Sequence, residues 1–126
     1  MTQRKYHILL VDDEPSILVT FRIALTRSGY ELTAEPISER GLELAQSESF
    51  DLIIVDYRMP GLHGVQFIEE VRESGNNTPI LLMSASESPL DSVAPQYRNN
   101  LSFEAKPMRP EKLLSAVEDL LAASKT

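Results

Sequence analysis

Three short stretches constrain the fold of this chain more than anything else in it. Of five strand candidates, Tyr6–Val11, Tyr30–Glu35, Leu52–Val55, Ile80–Met83 and Leu101–Ala105, the first, third and fourth are nearly continuous in apolar residues. A strand wetted on one face alternates between apolar and polar residues, whereas a strand covered on both faces does not. Those three therefore belong in the middle of a sheet, with helices above and below. Helical patterns lie between the strand candidates. Ile17, Leu18, Phe21, Ala24 and Leu25 recur at helical spacing, with Pro15 suited to the first turn and Gly29 placed to end it. Ser38–Ser47 is a weaker helix carried by Leu42 and Ala45, while Val65, Ile68 and Val71 mark a third. Leu113, Leu114, Val117, Leu120 and Leu121, following Pro110, make a strong last one. Between Met83 and Leu101 the chain reads SASESPLDSVAPQYRNN, where Pro89 suits a helix start but Pro95 stops or kinks anything longer than a turn or two. Strands alternating with helices define an α/β fold, a three-layer doubly wound sheet of five parallel strands with right-handed crossovers.

Composition narrows the function classes. A chain of 126 residues, 42% hydrophobic and 25% charged, fits one domain with a real core. Twelve Lys and Arg against 19 Asp and Glu give a net charge of −7, which repels a phosphate backbone and argues against nucleic acid as a direct ligand. There is no cysteine, hence no disulfide, thiolate metal site or cysteine nucleophile. The apolar run after the basic start meets acids after four residues, too short for a signal sequence or a membrane span. A cytoplasmic protein without membrane insertion is the simplest expectation.

Parallel sheets of this kind bind ligands beyond the carboxyl ends of their strands, so the strand ends are read together. The first ends in Asp12, Asp13 and Glu14, the third in Asp56 followed by Tyr57-Arg58-Met59-Pro60-Gly61, the fourth in Ser84 and the fifth in Lys106-Pro107. Carboxylates crowded at one place raise one another's pKa unless a cation sits among them. With oxygen donors alone on offer, Mg²⁺ or Mn²⁺ fits better than zinc, and Mg²⁺ normally combines few carboxylates with water and a phosphate. Phosphoryl chemistry follows, with Asp56 as nucleophile and with Ser84 and Lys106 binding the phosphoryl oxygens. Plainer roles stand beside these. Asp13 or Glu14 also suits a helix cap ahead of Pro15, and Asp56 a turn before Pro60-Gly61. Ser84 and Lys106 taken singly read as solvated side chains, and Phe103 as a core aromatic.

In VDDEP, LIIVDYRMPG, MSAS and FEAKP, over residues 5–123, the chain resembles a response-regulator receiver domain, similar to the single-domain chemotaxis regulators. The resemblance implies a flavodoxin-like strand order 2-1-3-4-5 and one receiver domain over residues 1–126, with no output domain in this chain, since Ser124-Lys125-Thr126 are too few to form one. It implies that Asp56 accepts a phosphoryl group from the phosphohistidine of a histidine kinase or phosphotransfer protein. It further implies that Asp13 binds Mg²⁺ directly and Asp12 mainly through water, with Asp56 and the backbone carbonyl of Arg58 completing the set. Ser84 and Phe103 stand at the family's switch positions, Arg58 and Ser86 at positions that tune acyl-phosphate lifetime, and Lys106-Pro107 at a peptide that is usually cis. The phosphorylated domain would control a downstream protein target or a covalently linked output domain. Two departures bear on that output: Asn99-Asn100 replaces the usual Gly-Ala before the fifth strand, and Pro95 interrupts the fourth helix. Two other classes are a Mg²⁺-dependent phosphohydrolase of haloacid-dehalogenase type and a receiver-like binding module that is never phosphorylated. The first needs an acid two residues after the nucleophile, where this chain has Arg58.

Overall fold

The computed structural model describes residues 5–85 and 89–124. Five strands, β1 (His7–Val11), β2 (Glu31–Glu35), β3 (Leu52–Asp56), β4 (Ile80–Ser84) and β5 (Leu101–Ala105), form one parallel sheet in the order 2-1-3-4-5. The helices are α1 (Pro15–Arg27), α2 (Ser38–Ser47), α3 (Gly64–Glu73) and α4 (Pro110–Ser124). β3 and β4 are buried along their whole length and β1 from Ile8 onward, whereas β2 and β5 are half-exposed at the edges. The apolar runs thus mark the central strands, as expected. Alternate residues feed two cores. Leu9, Val11, Ile53, Val55, Ile80 and Leu82 pack with Val65, Phe67, Ile68 and Val71 on the α2 and α3 side. Ile8, Leu10, Leu52, Ile54, Leu81 and Met83 pack with Phe21, Leu25, Leu113 and Val117 on the α1 and α4 side.

Helix limits follow local chemistry. Pro15 stands in the first turn of α1, and past its end the backbone N–H groups of Ser28, Gly29 and Tyr30 bond to the carbonyls of Leu25 and Thr26. α3 starts hard against the exit of β3. A Cβ on Gly64 would lie 2.8 Å from the Cα of Tyr57 and 3.0 Å from the Asp56 carbonyl oxygen, so a glycine lets helix and strand meet this closely.

Between β4 and β5 the described residues form two short 3-10 turns, Leu90–Ser92 and Pro95–Tyr97, and no α-helix. Pro95 opens the second turn, in keeping with its fixed φ and missing N–H. The segment is nevertheless anchored. Val93 is fully buried in the α2 and α3 core, with Leu90 and Tyr97 packed against it. Arg98 donates to the carbonyls of Val93 (2.7 Å) and Asp91 (3.3 Å). Asn100, just before β5, adopts φ +54°, a left-handed conformation that Asn tolerates better than most residues. No helix among the described residues is long and apolar enough to cross a membrane.

Candidate functional site

Strand register delivers the predicted residues to one place. Val11 is paired with Val55, Asp56 with Met83, and Ser84 with Ala105, so Asp12, Asp56, Ser84 and Lys106 all stand at or one step past the aligned carboxyl ends. Backbone bonds continue the alignment there: Tyr57 N–H donates to Met83 O at 2.7 Å and Lys106 N–H to Ser84 O at 2.8 Å. Asp12, Asp56 and Ser84 are buried, Asp13 is exposed, and the Lys106 side chain is 9% exposed.

Carboxylate oxygens of Asp12, Asp13 and Asp56 all lie within 4.8 Å of one another. Lys106 Nζ donates to Asp12 Oδ2 at 2.9 Å and Glu14 Oε1 at 3.0 Å, and stands 3.3 Å from Asp56 Oδ1. The peptide bond to Pro107 is cis. Asp12 Oδ1 accepts the Glu14 N–H at 2.9 Å, so the first acid is bound at both oxygens. Three carboxylates, those of Asp12, Glu14 and Asp56, therefore meet the Lys106 ammonium at the strand ends, and a fourth, Asp13, stands beside Asp12 and Asp56.

The acids feel that imbalance. Burial, reinforced by the charge of Asp12, pushes the Asp56 carboxyl up to about 6, more than Lys106 offsets. Burial also raises Asp12, against the opposing bonds from the Glu14 N–H and Lys106. Lys106 moves the other way: burial alone would lower it, but its bonds to Asp12 and Glu14 and the charges of Asp12 and Asp56 together lift it above the ordinary lysine value. A divalent cation among the acids would relieve the strain, and a donor set of oxygens alone suits Mg²⁺ or Mn²⁺.

The alternative role for Asp13 is not the one seen. Glu14 occupies the N-cap of α1 and makes no side-chain cap bond, while Asp13 faces the acidic cluster. Arg58 is exposed on the loop after β3, and Met59 is buried in the core. Tyr57, Arg58, Met59, Pro60 and His63 line an open cleft of about 480 Å³ beside the site. Phe103 is half-buried on edge strand β5, not a core residue. Ser86 lies outside the described residues. Sequence reasoning missed the contact between Glu14 and Lys106, which join the first acidic run to the far strand across 92 residues. The adjacency of three acids was the available signal, but nothing local says which of them would turn toward the lysine.

A five-stranded parallel sheet in this order, with an acidic crevice and a lysine at its carboxyl edge, defines a class of α/β switch-point proteins. Within that class the chain belongs to the response-regulator receiver domain family, whose model matches residues 8–118. It is 32% identical over 124 residues to the transcriptional regulatory protein GlrR of Escherichia coli K12, covering 98% of this chain and 28% of that protein. Its structure is similar to that of the chemotaxis response regulator CheY4 of Vibrio cholerae, with a TM-score of 0.82, 30% identity and coverage of 93% and 99% of the two chains. It is also similar to the receiver domain of the sensor histidine kinase PA1611 of Pseudomonas aeruginosa PAO1, described with a magnesium ion in its active site cleft. There the TM-score is 0.81 at 25% identity, covering 94% and 99%. The chain thus spans about a quarter of GlrR's length and nearly all of the two receiver structures.

Proposed function

We propose that this chain is a phosphoacceptor switch in which Asp56 takes a phosphoryl group from a phosphohistidine. Its core spans about residues 5–123, the donor is a histidine kinase or phosphotransfer protein, and the setting is the cytoplasm. An Asp56 oxygen attacks phosphorus, the P–N bond breaks, and the imidazole leaves as the acyl phosphate forms. Mg²⁺, or Mn²⁺, held by Asp12, Asp13, Asp56 and the Arg58 carbonyl, would neutralise charge on the transferring group. Lys106 and the Ser84 hydroxyl bind phosphoryl oxygens from the β4 and β5 side. Ser84 and Phe103 then shift together, and the changed face controls a downstream protein or a linked output domain.

The observation that carries this reading is the position of Lys106 Nζ, 2.9 Å from Asp12 and 3.3 Å from Asp56 at aligned strand ends. A cation already bridges the acids where a phosphoryl group and a metal would meet. Incubation with acetyl phosphate and Mg²⁺, followed by intact mass measurement, tests it. Wild type is expected to gain one phosphoryl group and Asp56→Asn none. Equal behaviour of the two would reject Asp56 as acceptor, and turnover of small phosphomonoesters would favour the phosphohydrolase reading instead.

A further inference from the structure

Ser38 is the first residue of α2 and is 1% exposed. A serine at a helix start ordinarily accepts an N–H of its own helix. Here the N-cap is Ile37, without a side-chain cap bond, and the Ser38 hydroxyl is spent elsewhere. It accepts the Leu62 N–H at 3.1 Å and has Pro60 O at 3.1 Å, with Glu39 Oε1 at 3.2 Å as the alternative acceptor for its proton. Pro60 and Leu62 flank Gly61, whose φ of +79° favours glycine. One buried hydroxyl thus spans the turn in the middle of the loop between β3 and α3.

The ends of that loop are fixed by other means. Tyr57 N–H bonds to Met83 O at one end, Gly64 N–H closes back on Tyr57 O at 2.9 Å, and Met59 is buried. The middle leans on Ser38. That loop leads directly from Asp56 through Arg58. Its far wall also meets the acidic cluster, because Asp13, Pro36, Ile37, Glu39, Pro60 and Gly61 line one small cavity of about 250 Å³. α2 and the acceptor loop therefore close the side of the crevice on which Asp13 stands.

We propose that Ser38 is a positioning residue for the metal side of the site, holding the loop that carries the Arg58 carbonyl against the wall beside Asp13. This inference rests on the metal reading given above, and Ser38 touches no reacting atom. Its loss leaves Leu62 N–H and Pro60 O without their buried partner, and the loop relaxes away from the geometry that Mg²⁺ requires. Groups behind the ligands typically alter metal affinity by about tenfold or more, and one acting through backbone should cost about three- to tenfold.

The test is Mg²⁺ titration by calorimetry of the full chain, at a temperature where every variant is folded, with amide exchange at Leu62 as a second readout. Ser38→Ala should raise the Mg²⁺ dissociation constant by about three- to tenfold and speed Leu62 exchange. Ser38→Cys keeps size but weakens the hydrogen bonds, should shift both in the same direction by less, and stands in if the alanine variant does not fold. Asn76→Ala is the control for general destabilisation. It removes a bond to Ala45 O (3.1 Å) and contacts with Thr78, and should leave Mg²⁺ affinity at the wild-type value. Wild-type affinity in the Ser38 variants, with Mg²⁺ bound normally by wild type, overturns the positioning role alone. Absence of Mg²⁺ binding by wild type overturns the metal reading and this inference with it.

Discussion

Two buried cations pin the two ends of the sheet, and they differ in what surrounds them. At the amino end, Arg72 of α3 is 6% exposed and donates through Nη1 to the carbonyls of Asn76 (3.0 Å) and Thr78 (2.8 Å), and through Nη2 to those of Asn99 (2.8 Å) and Asn100 (3.2 Å). Its Nε is the one buried side-chain polar atom without a partner among the described residues. At the carboxyl end, Lys106 meets the carboxylates of Asp12, Glu14 and Asp56, with Asp13 clustered beside Asp12 and Asp56. Neutral carbonyl dipoles solvate a guanidinium without competing for protons or metals, so the first arrangement is a fastener. An ammonium outnumbered by acids leaves negative charge unneutralised, so the second invites another cation.

The sharpest way to break the contrast is to remove each centre and compare signs. Arg72→Ala should cost about 3–4 kcal/mol, because buried carbonyls lose charged donors. Urea unfolding checks this, and Mg²⁺ affinity should stay unchanged. A loss below about 1 kcal/mol would mean the carbonyls find water instead. Asp56→Asn should do the opposite and stabilise the metal-free protein by about 2–3 kcal/mol at neutral pH. The sign follows from the raised pKa. The folded state holds the Asp56 proton more tightly than the unfolded chain does, so stability falls as pH rises from the ordinary value of 3.8 to about 6. The advantage of Asp56→Asn should therefore be small below pH 4, grow up to about pH 6 and stay flat above, as urea midpoints across that range would record.

Lys106→Met sharpens the comparison further. By sequence the lysine is only a phosphate ligand, but its contacts with Asp12 and Asp56 also make it a rival for the metal's charge. Mg²⁺ should bind the variant about tenfold more tightly at low salt. Unchanged affinity on titration would show that Lys106 swings clear at no cost. The smallest effect belongs to Asp13→Ala, which should change stability by less than about 0.5 kcal/mol while weakening Mg²⁺ binding. A larger loss of stability with affinity intact would return Asp13 to the helix start.

The same contrast explains what could be read from the sequence. The apolar runs before Asp12, Asp56 and Ser84 identify central strands because burial on both faces leaves no room for polar residues. Parallel register then carries the strand ends together, so a constellation scattered over 94 residues was legible. Pro95 likewise foretold the break in the fourth helical region. Arg72 was not legible. Arginine on an amphipathic helix normally reads as solvated, and its burial depends on two distant turns, 76–78 and 99–100, meeting over it. Ser38 was hidden for the same reason, since its partners Pro60 and Leu62 are 22 and 24 residues away.

The claim at the centre is that the carboxyl end is built to need a cation, and the protonation of Asp56 reports on it directly. A carbon-13 titration of the Asp56 side-chain carboxyl, with and without Mg²⁺, should show a midpoint near 6 in the metal-free protein and a marked fall once Mg²⁺ is present. A midpoint at the ordinary 3.8 that Mg²⁺ leaves in place would contradict it.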